Sequence, residues 1–397
     1  GLDRAELYFN IGNACIDDRD VDGAIDAYRA AVERNPADLA SHRNLNSLLW
    51  QQQRTDEYLQ SYRDVLQRKS SLVAVRLAYA MALNQQHCSG EAEQVLMQGD
   101  VSGSSELKSM LAYSLEGQGR WAEALRLHEE AVRMPDAVPN HRVSLARALL
   151  ARGRPDEALQ HAQQGVAQLP HDQRALAYLG LCWRVLQDAR EPVLNDYDNL
   201  VQAFDVPVPG GYASPREFNA RLAAVLDSLH LGRRHPPEQT LRGGTQTSGE
   251  LFLRREPEIV ELVDGLRQCI DEYIGNLRVD AKHPVRSRQT ERYDFAASWS
   301  VRLTSGGFHT MHVHPLGWIS SAYYVEVPPA ITESDAHGGG LKFGEPDIDI
   351  GAAGAPRRCM QPAVGRLVLF PSYMWHGTVP FDAGQSRLTV AFDVVPR

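Results

Sequence analysis

The chain of 397 residues is long enough for two domains, and its apolar (43%) and charged (23%) fractions are ordinary for a folded globular protein. A net charge of -9, with no basic run of five residues, excludes a nucleic-acid binder that works through a broad basic face. No apolar run reaches the roughly 18 residues of a membrane helix. Five scattered cysteines without a CxxC point to a reducing compartment, the cytoplasm, and away from a disulfide framework or a zinc ribbon.

The first elements repeat. The segments DVDGAIDAYRAAVERNP (20–36), GRWAEALRLHEEAVRMPD (119–136) and GRPDEALQHAQQGVAQLP (153–170) share one pattern. Gly119 and Gly153, Ala124 and Ala158, and Val132 and Val166 are each 34 residues apart. That is the period of tetratricopeptide repeats, in which each unit is a helix–turn–helix. Ala24, Ala124 and Ala158 are small where helices must approach, and Tyr28 is large where a gap must be filled. Pro36 and Pro170 end the second helix of their units. Residues 42–69 and 72–100 keep the apolar period but lose the small residues. With these weaker copies the count is about five repeats, closed by a helix over 172–187. A solenoid of this kind offers a groove, often for a peptide. Asn10, Asn44 and Asn46 are read as exposed polar residues of its helices, although the same residue type could clamp a peptide backbone.

From Pro192 the texture changes. Residues 204–216 and 232–249 are rich in Pro and Gly and read as loops. EFNARLAAVLDSLHL between them, and residues 256–277 after them, read as amphipathic helices. After about residue 290, short segments rich in Val, Tyr, Leu and Phe alternate with Gly/Pro turns. Strands are expected at 297–305, 311–314, 319–327, 340–345, 365–371 and 387–395. Such spacing suits a sandwich or barrel backed by helices, giving an α+β multidomain chain: 1–190 helical array, 191–290 supporting segment, 291–397 β-core.

Three histidines lie close together in FHTMHVHP: His309, His312 and His314. On a strand, His312 and His314 project from one face and form a two-point grip for a metal, while His309 has the opposite parity. His376 follows a strongly apolar strand, 64 residues beyond His312. Arg387 opens the last strand and shares a face with Thr389, whereas Leu388, Val390 and Phe392 share the other. An arginine aimed into the mouth of a β-barrel needs an anion, and beside a metal a carboxylate-bearing cosubstrate is the natural one.

The order HxH, distal His, then Arg with a hydroxyl residue two positions on resembles the iron(II)- and 2-oxoglutarate-dependent oxygenases. The segments SWSVRL, HVHPLGWISSAYYVEVP, GLKFGEP and GRLVLFPSYMWHGTVPF are similar to oxygenases of that superfamily that follow tetratricopeptide repeats. The resemblance covers residues 190–397 and is most specific in the last hundred. It implies a double-stranded β-helix (jelly roll) with Fe(II) held by His312, His314 and His376. It also implies 2-oxoglutarate as cosubstrate, its distal carboxylate on Arg387 with Thr389 and Tyr324. The implied reaction is hydroxylation of a protein or peptide side chain recruited by the repeats, with no nucleic acid or membrane as partner.

His314 departs from the superfamily pattern, which has Asp or Glu there. A three-histidine site is chemically reasonable, since imidazole suits iron, copper and zinc alike. Two other ligand sets are open. His314 could face substrate or stand behind the ligands, leaving two protein ligands as in the aspartyl/asparaginyl β-hydroxylases, or Asp335 or His337 could supply a ligand. The bulk of His314 disfavours halogenation, which needs room for a halide. Rival readings are a zinc hydrolase or hydratase, a cupin-type dioxygenase that uses no keto acid, and a repeat scaffold with a degenerate oxygenase fold.

Overall fold

The computed structural model describes residues 2–332 and 337–397. Contacts divide the chain into two compact units, residues 1–145 with 231–239, and residues 146–230 with 240–397.

The array is built of antiparallel helix pairs: α1 (Leu2–Asp17) and α2 (Val21–Arg34), α3 (Leu39–Gln51) and α4 (Gln60–Arg68), α5 (Val73–Gln85) and α6 (Ser89–Met97), α7 (Ser105–Gly117) and α8 (Trp121–Arg133), α9 (Pro139–Ala151) and α10 (Pro155–Gln168). The helix α11 (Gln173–Val185) follows, and α10 and α11 belong to the second unit. The small residues sit where expected, with Ala24, Ala124 and Ala158 fully buried. A Cβ on Gly12 would come within 2.5 Å of the Tyr28 ring, so the glycine is what lets that ring fill the space between α1 and α2.

The turn inside each pair explains why some copies are faint. Arg19, Gln53 and His87 have positive φ and are spaced 34 apart, and so are Gly119, Gly153 and Gln187. Only two of these six turns use the glycine that makes a left-handed residue free of cost; a non-glycine residue there costs about 1–2 kcal/mol. The conformation is kept while the consensus residue is lost. Asn46, read as an exposed polar, is buried. Its Oδ1 accepts the N–H of Leu59 at 2.6 Å and its Nδ2 donates to His42 O at 2.8 Å. Leu59 is itself left-handed (φ 65), so its N–H turns away from helical partners and a side chain must satisfy it. In the same unit, residues 231–239 lie along α3. Trp50 Nε1 donates to His235 O at 2.9 Å, Gln52 Nε2 to Leu231 O at 2.9 Å, and the Arg234 guanidinium lies 3.5 Å above the Trp50 ring.

In the second unit, short helices α12 (Glu191–Leu194) and α13 (Tyr197–Leu200) lead into a layer formed by α14 (Pro215–Asp227) and α15 (Pro257–Asn276). The strands are β1 (Gln202–Asp205), β2 (Leu241–Gln246), β3 (Tyr293–His309), β4 (Ile319–Glu326), β5 (Leu341–Phe343), β6 (Arg358–Met360), β7 (Arg366–Pro371), β8 (His376–Thr378) and β9 (Arg387–Pro396). They make an antiparallel six-stranded sheet, β1-β7-β4-β9-β3-β2, and a three-stranded sheet, β6-β5-β8. This is the jelly-roll arrangement, with helices on its outer face.

Seven of the eight residues of β4 are buried, because both of its faces are covered. Tyr323 points to the helices, its hydroxyl donating to Asn219 Oδ1 at 2.9 Å. Up to Tyr324 the even-numbered residues point between the sheets, and a register shift after Tyr324 sets Glu326 opposite Leu388. Across that gap Phe343 of β5 meets Phe370 of β7, ring centroids 4.9 Å apart. On β9 the same alternation places Arg387, Thr389, Ala391 and Asp393 on one face and Leu388, Val390, Phe392 and Val394 on the other.

The expected strand at 311–314 is instead a single bridge, His312 to His376. His312 N–H donates to His376 O at 2.9 Å and His376 N–H to His312 O at 3.0 Å. Two strands run into stretches read as loops: Gln202–Asp205, which enters the first at residue 204, pairs with β7, and Leu241–Gln246, within the second, pairs with β3 through a bulge at Gly243 and Gly244.

Candidate metal and anion site

Two elements bring the three histidines together: the segment after β3 and the start of β8, joined by the bridge just described. His312 Nε2 lies 3.1 Å from His314 Nε2, and His376 Nε2 lies 3.2 Å from the same atom. Among the described residues these are the ones whose ligand atoms cluster as a metal would need.

The opposite ring nitrogens fix the tautomers. His312 Nδ1 is 2.8 Å from Thr310 O, His376 Nδ1 is 2.9 Å from Met374 O, and His314 Nδ1 is 2.6 Å from Asp393 Oδ1. Carbonyl and carboxylate oxygens only accept, so each Nδ1 carries the proton. The Nε2 atoms of His312 and His376 are then bare lone pairs, and both are turned toward His314 Nε2. Burial, reinforced by its histidine neighbours, pulls His312 down to about 3 and holds His376 well below the usual histidine range, so neither protonates to relieve the contact. A shared cation relieves it. Two nitrogens about 2.1 Å from one ion stand about 3.0 Å apart at a right angle and about 3.4 Å at the tetrahedral angle, and the observed spacing lies between. The donor set fits a divalent metal.

Phe370 stands edge-on to His376 at 4.6 Å and forms an apolar wall, which adds to the cost of a charged ring there. A Cβ on Gly377 would meet Met311 Sδ at 2.6 Å and His309 O at 2.9 Å, so only glycine lets β8 approach the histidine segment this closely.

Arg387 is 2% exposed, and no carboxylate pairs with it among the described residues. Its Nη1 donates to Gly339 O, while its Nε makes no hydrogen bond. Burial lowers its pKa. Tyr324, whose ring centre is 5.5 Å from the guanidinium, is fully buried with its hydroxyl also unbonded. Thr389 lies directly across from Tyr324 in the β4–β9 register. The two side chains therefore share the face that carries Arg387. A buried guanidinium and a buried phenol, both short of partners, form a seat for an anion.

His309, assigned the opposite parity, also belongs here. It ends β3, its Nδ1 is 3.1 Å from Thr240 Oγ1, and its ring centre is 5.9 Å from that of His312. Burial, then the neighbouring His312 and Arg387, hold it well below the usual histidine range. Asp393 escaped the sequence reading as well, although it lies six residues after Arg387 on the same face of one strand. That parity was the available signal. His337 is exposed and its Nδ1 pairs with Gln361 at 2.9 Å, apart from the cluster; Asp335 lies outside the described residues.

Residues 297–393, which contain every histidine and anion-seat residue discussed above, match the family described as "Putative 2OG-Fe(II) oxygenase". Residues 5–38, 109–172 and 143–191 match tetratricopeptide repeat families. The chain therefore joins tetratricopeptide repeats to a C-terminal domain of the 2OG-Fe(II) oxygenase family. Among solved structures it is similar to a Pseudomonas putida prolyl-4-hydroxylase at 18% identity, over 52% of this chain and 97% of that one, with a TM-score of 0.33. The Pseudomonas aeruginosa protein pilF is 19% identical over 48% of this chain and 88% of its own, with a TM-score of 0.37. The repeat protein YrrB, titled as having an unusual peptide-binding site, is 21% identical over 42% and 88%, with a TM-score of 0.30. Among curated proteins, none matched the chain.

Proposed function

We propose that the second unit is an iron(II)- and 2-oxoglutarate-dependent oxygenase that hydroxylates a protein or peptide side chain. In this reading His312, His314 and His376 hold the metal, and Arg387, Thr389 and Tyr324 seat the distal carboxylate of 2-oxoglutarate. One observation carries it: three histidine Nε2 atoms are gathered as metal ligands would be, one of them backed by Asp393, and a buried arginine short of partners lies on the same face of β9 as that aspartate. A zinc hydrolase or a cupin-type enzyme accounts for the first need and leaves Arg387 unexplained.

The bound metal would supply the oxygen chemistry, coupling conversion of 2-oxoglutarate and O2 to succinate and CO2 with transfer of one oxygen atom to substrate. The chain's own part is binding and orientation. Three imidazoles, each fixed by an Nδ1 hydrogen bond, present their Nε2 atoms in advance. Arg387 offers its free Nε–H and Tyr324 its hydroxyl to one carboxylate, charge-assisted bonds worth about 1.5–3 kcal/mol in a dry site. Phe370 and Phe343 keep water from the His376 side. For a peptide partner, the support is the repeat array, which already holds one segment of its own chain on Trp50 and Gln52.

The decisive experiment is purification without oxygen, loading with iron(II) and 2-oxoglutarate, then admission of oxygen and measurement of succinate. Succinate is expected even without substrate, from uncoupled turnover. Normal iron binding with no succinate would overturn the proposal.

A further inference from the structure

Two of the three imidazoles lean on backbone carbonyls; only His314 leans on a charge. Asp393 Oδ1 lies 2.6 Å from His314 Nδ1, and the two side chains are 8% and 12% exposed. The same oxygen accepts the Ser320 hydroxyl at 2.6 Å, and Ser320 in turn is 2.8 Å from Ser372 Oγ. The main chain of His314 is fixed as well, its N–H donating to Ser372 O at 3.0 Å. A Cβ on Gly317 would fall 2.3 Å from Ser372 Oγ and 3.3 Å from Asp393 Cγ, so glycine lets the loop after His314 close over this group. No lysine or arginine pairs with Asp393 among the described residues. Its negative charge is therefore matched only through the imidazole.

Three neutral imidazoles around a divalent ion leave two positive charges in a largely buried place. The superfamily pattern puts a carboxylate directly at the position of His314. Here the carboxylate stands one ring further out, on His314 Nδ1.

We propose that Asp393 is a positioning residue that returns, through the His314 ring, the charge a ligand carboxylate would supply. It holds His314 as the tautomer with a free Nε2 and makes that nitrogen a stronger donor. The proposal rests on the metal reading of the three histidines.

The test is metal binding by the full-length, metal-free protein, read by cobalt(II) absorption with a competing chelator. Asp393→Asn is expected to weaken cobalt(II) binding by about 10- to 100-fold, because the amide can donate to Nδ1 and turn the ring to the wrong tautomer. The distinguishing readout is the background of His314→Asp, in which a carboxylate reaches the metal itself. There Asp393→Asn should cost no more than about twofold. An equal loss in both backgrounds would mean that Asp393 is merely structural, and no loss in either would remove it from the site. If Asp393→Asn does not fold, Ser320→Ala, which frees the same carboxylate oxygen, should weaken binding severalfold; unchanged affinity would overturn the proposal. His312→Ala separates the two readings. Cobalt(II) binding by the parent that survives His312→Ala sinks the metal site itself, whereas binding lost in His312→Ala but unchanged in Asp393→Asn sinks only the role of Asp393.

Discussion

The helices and the sheet of this protein bury the same kinds of polar residue and treat them differently. His42, on α3, has Nδ1 2.9 Å from Ser61 Oγ and Nε2 3.2 Å from Pro36 O, so the fold uses both ring nitrogens. The three histidines of the sheet region use one nitrogen each and leave the other facing a neighbour's lone pair. The arginines repeat the contrast. Arg184, on α11, is buried with the Glu191 carboxylate, Gly344 O and Tyr197 OH as partners. Arg387, on β9, is as deeply buried and has one carbonyl. Desolvating a charge costs several kcal/mol, and the fold recovers that cost at Arg184 but not at Arg387. Between these two arginines burial is alike and the partners differ, and that difference is what marks Arg387 as an anion seat.

The contrast can be broken at several points. The largest effect is expected from His376→Ala, which should abolish iron(II) binding and succinate formation while leaving the far-ultraviolet circular dichroism of the array unchanged. Next come the two arginines, which should respond in opposite ways. Arg184→Met strands the Glu191 carboxylate and should lower stability by about 3–5 kcal/mol in denaturant titration, with 2-oxoglutarate affinity of the folded protein unchanged. Arg387→Met should weaken 2-oxoglutarate binding by about 10- to 100-fold, without lowering the denaturation midpoint of the metal-free protein. A loss of stability at Arg387 as large as that at Arg184 would erase the distinction.

Histidines used by the fold should show themselves through pH. His230, whose ring nitrogens lie 2.8 Å from Thr245 Oγ1 and 3.2 Å from Ser300 Oγ, is pulled down to about 4 by burial. The unfolded chain therefore binds this proton more readily than the folded one. Stability should be flat above pH 6.5 and fall as the pH drops from 6.5 towards 4. His230→Gln should flatten that fall, measured as denaturation midpoints across the range. The smallest effect is expected of Tyr324→Phe. It removes one hydroxyl from the anion seat and should raise the KM for 2-oxoglutarate by up to about 10-fold, with kcat little changed.

Much of this was legible in the sequence. The 34-residue spacing gave the array because each repeat must turn at the same place to stack on the next. His312 with His314, and Arg387 with Thr389, were singled out because alternation along an extended chain puts residue types on faces, and His376 because it follows a strongly apolar strand. The faint repeats were harder, since Arg19, Gln53 and His87 adopt the turn without the glycine that announces it.

What local pattern reports is which face a side chain can use, because backbone periodicity is set residue by residue. It does not report what lies opposite, because pairing depends on segments far away in the chain. Gly243 and Gly244 read as a loop, yet β3 recruits them into a bulged strand. The helix α11 reads as the end of the repeats, yet Tyr178 donates to Asp347 at 3.0 Å and the helix is part of the compact unit that contains the sheets. Asp393 reads as a polar residue near the end of the last strand, and only the fold sets it behind His314, 79 residues away. The sequence by itself determined the residue types of the candidate site and their order. The tertiary structure decided that the carboxylate stands behind a histidine, because only folding brings β9 against the segment that follows β3.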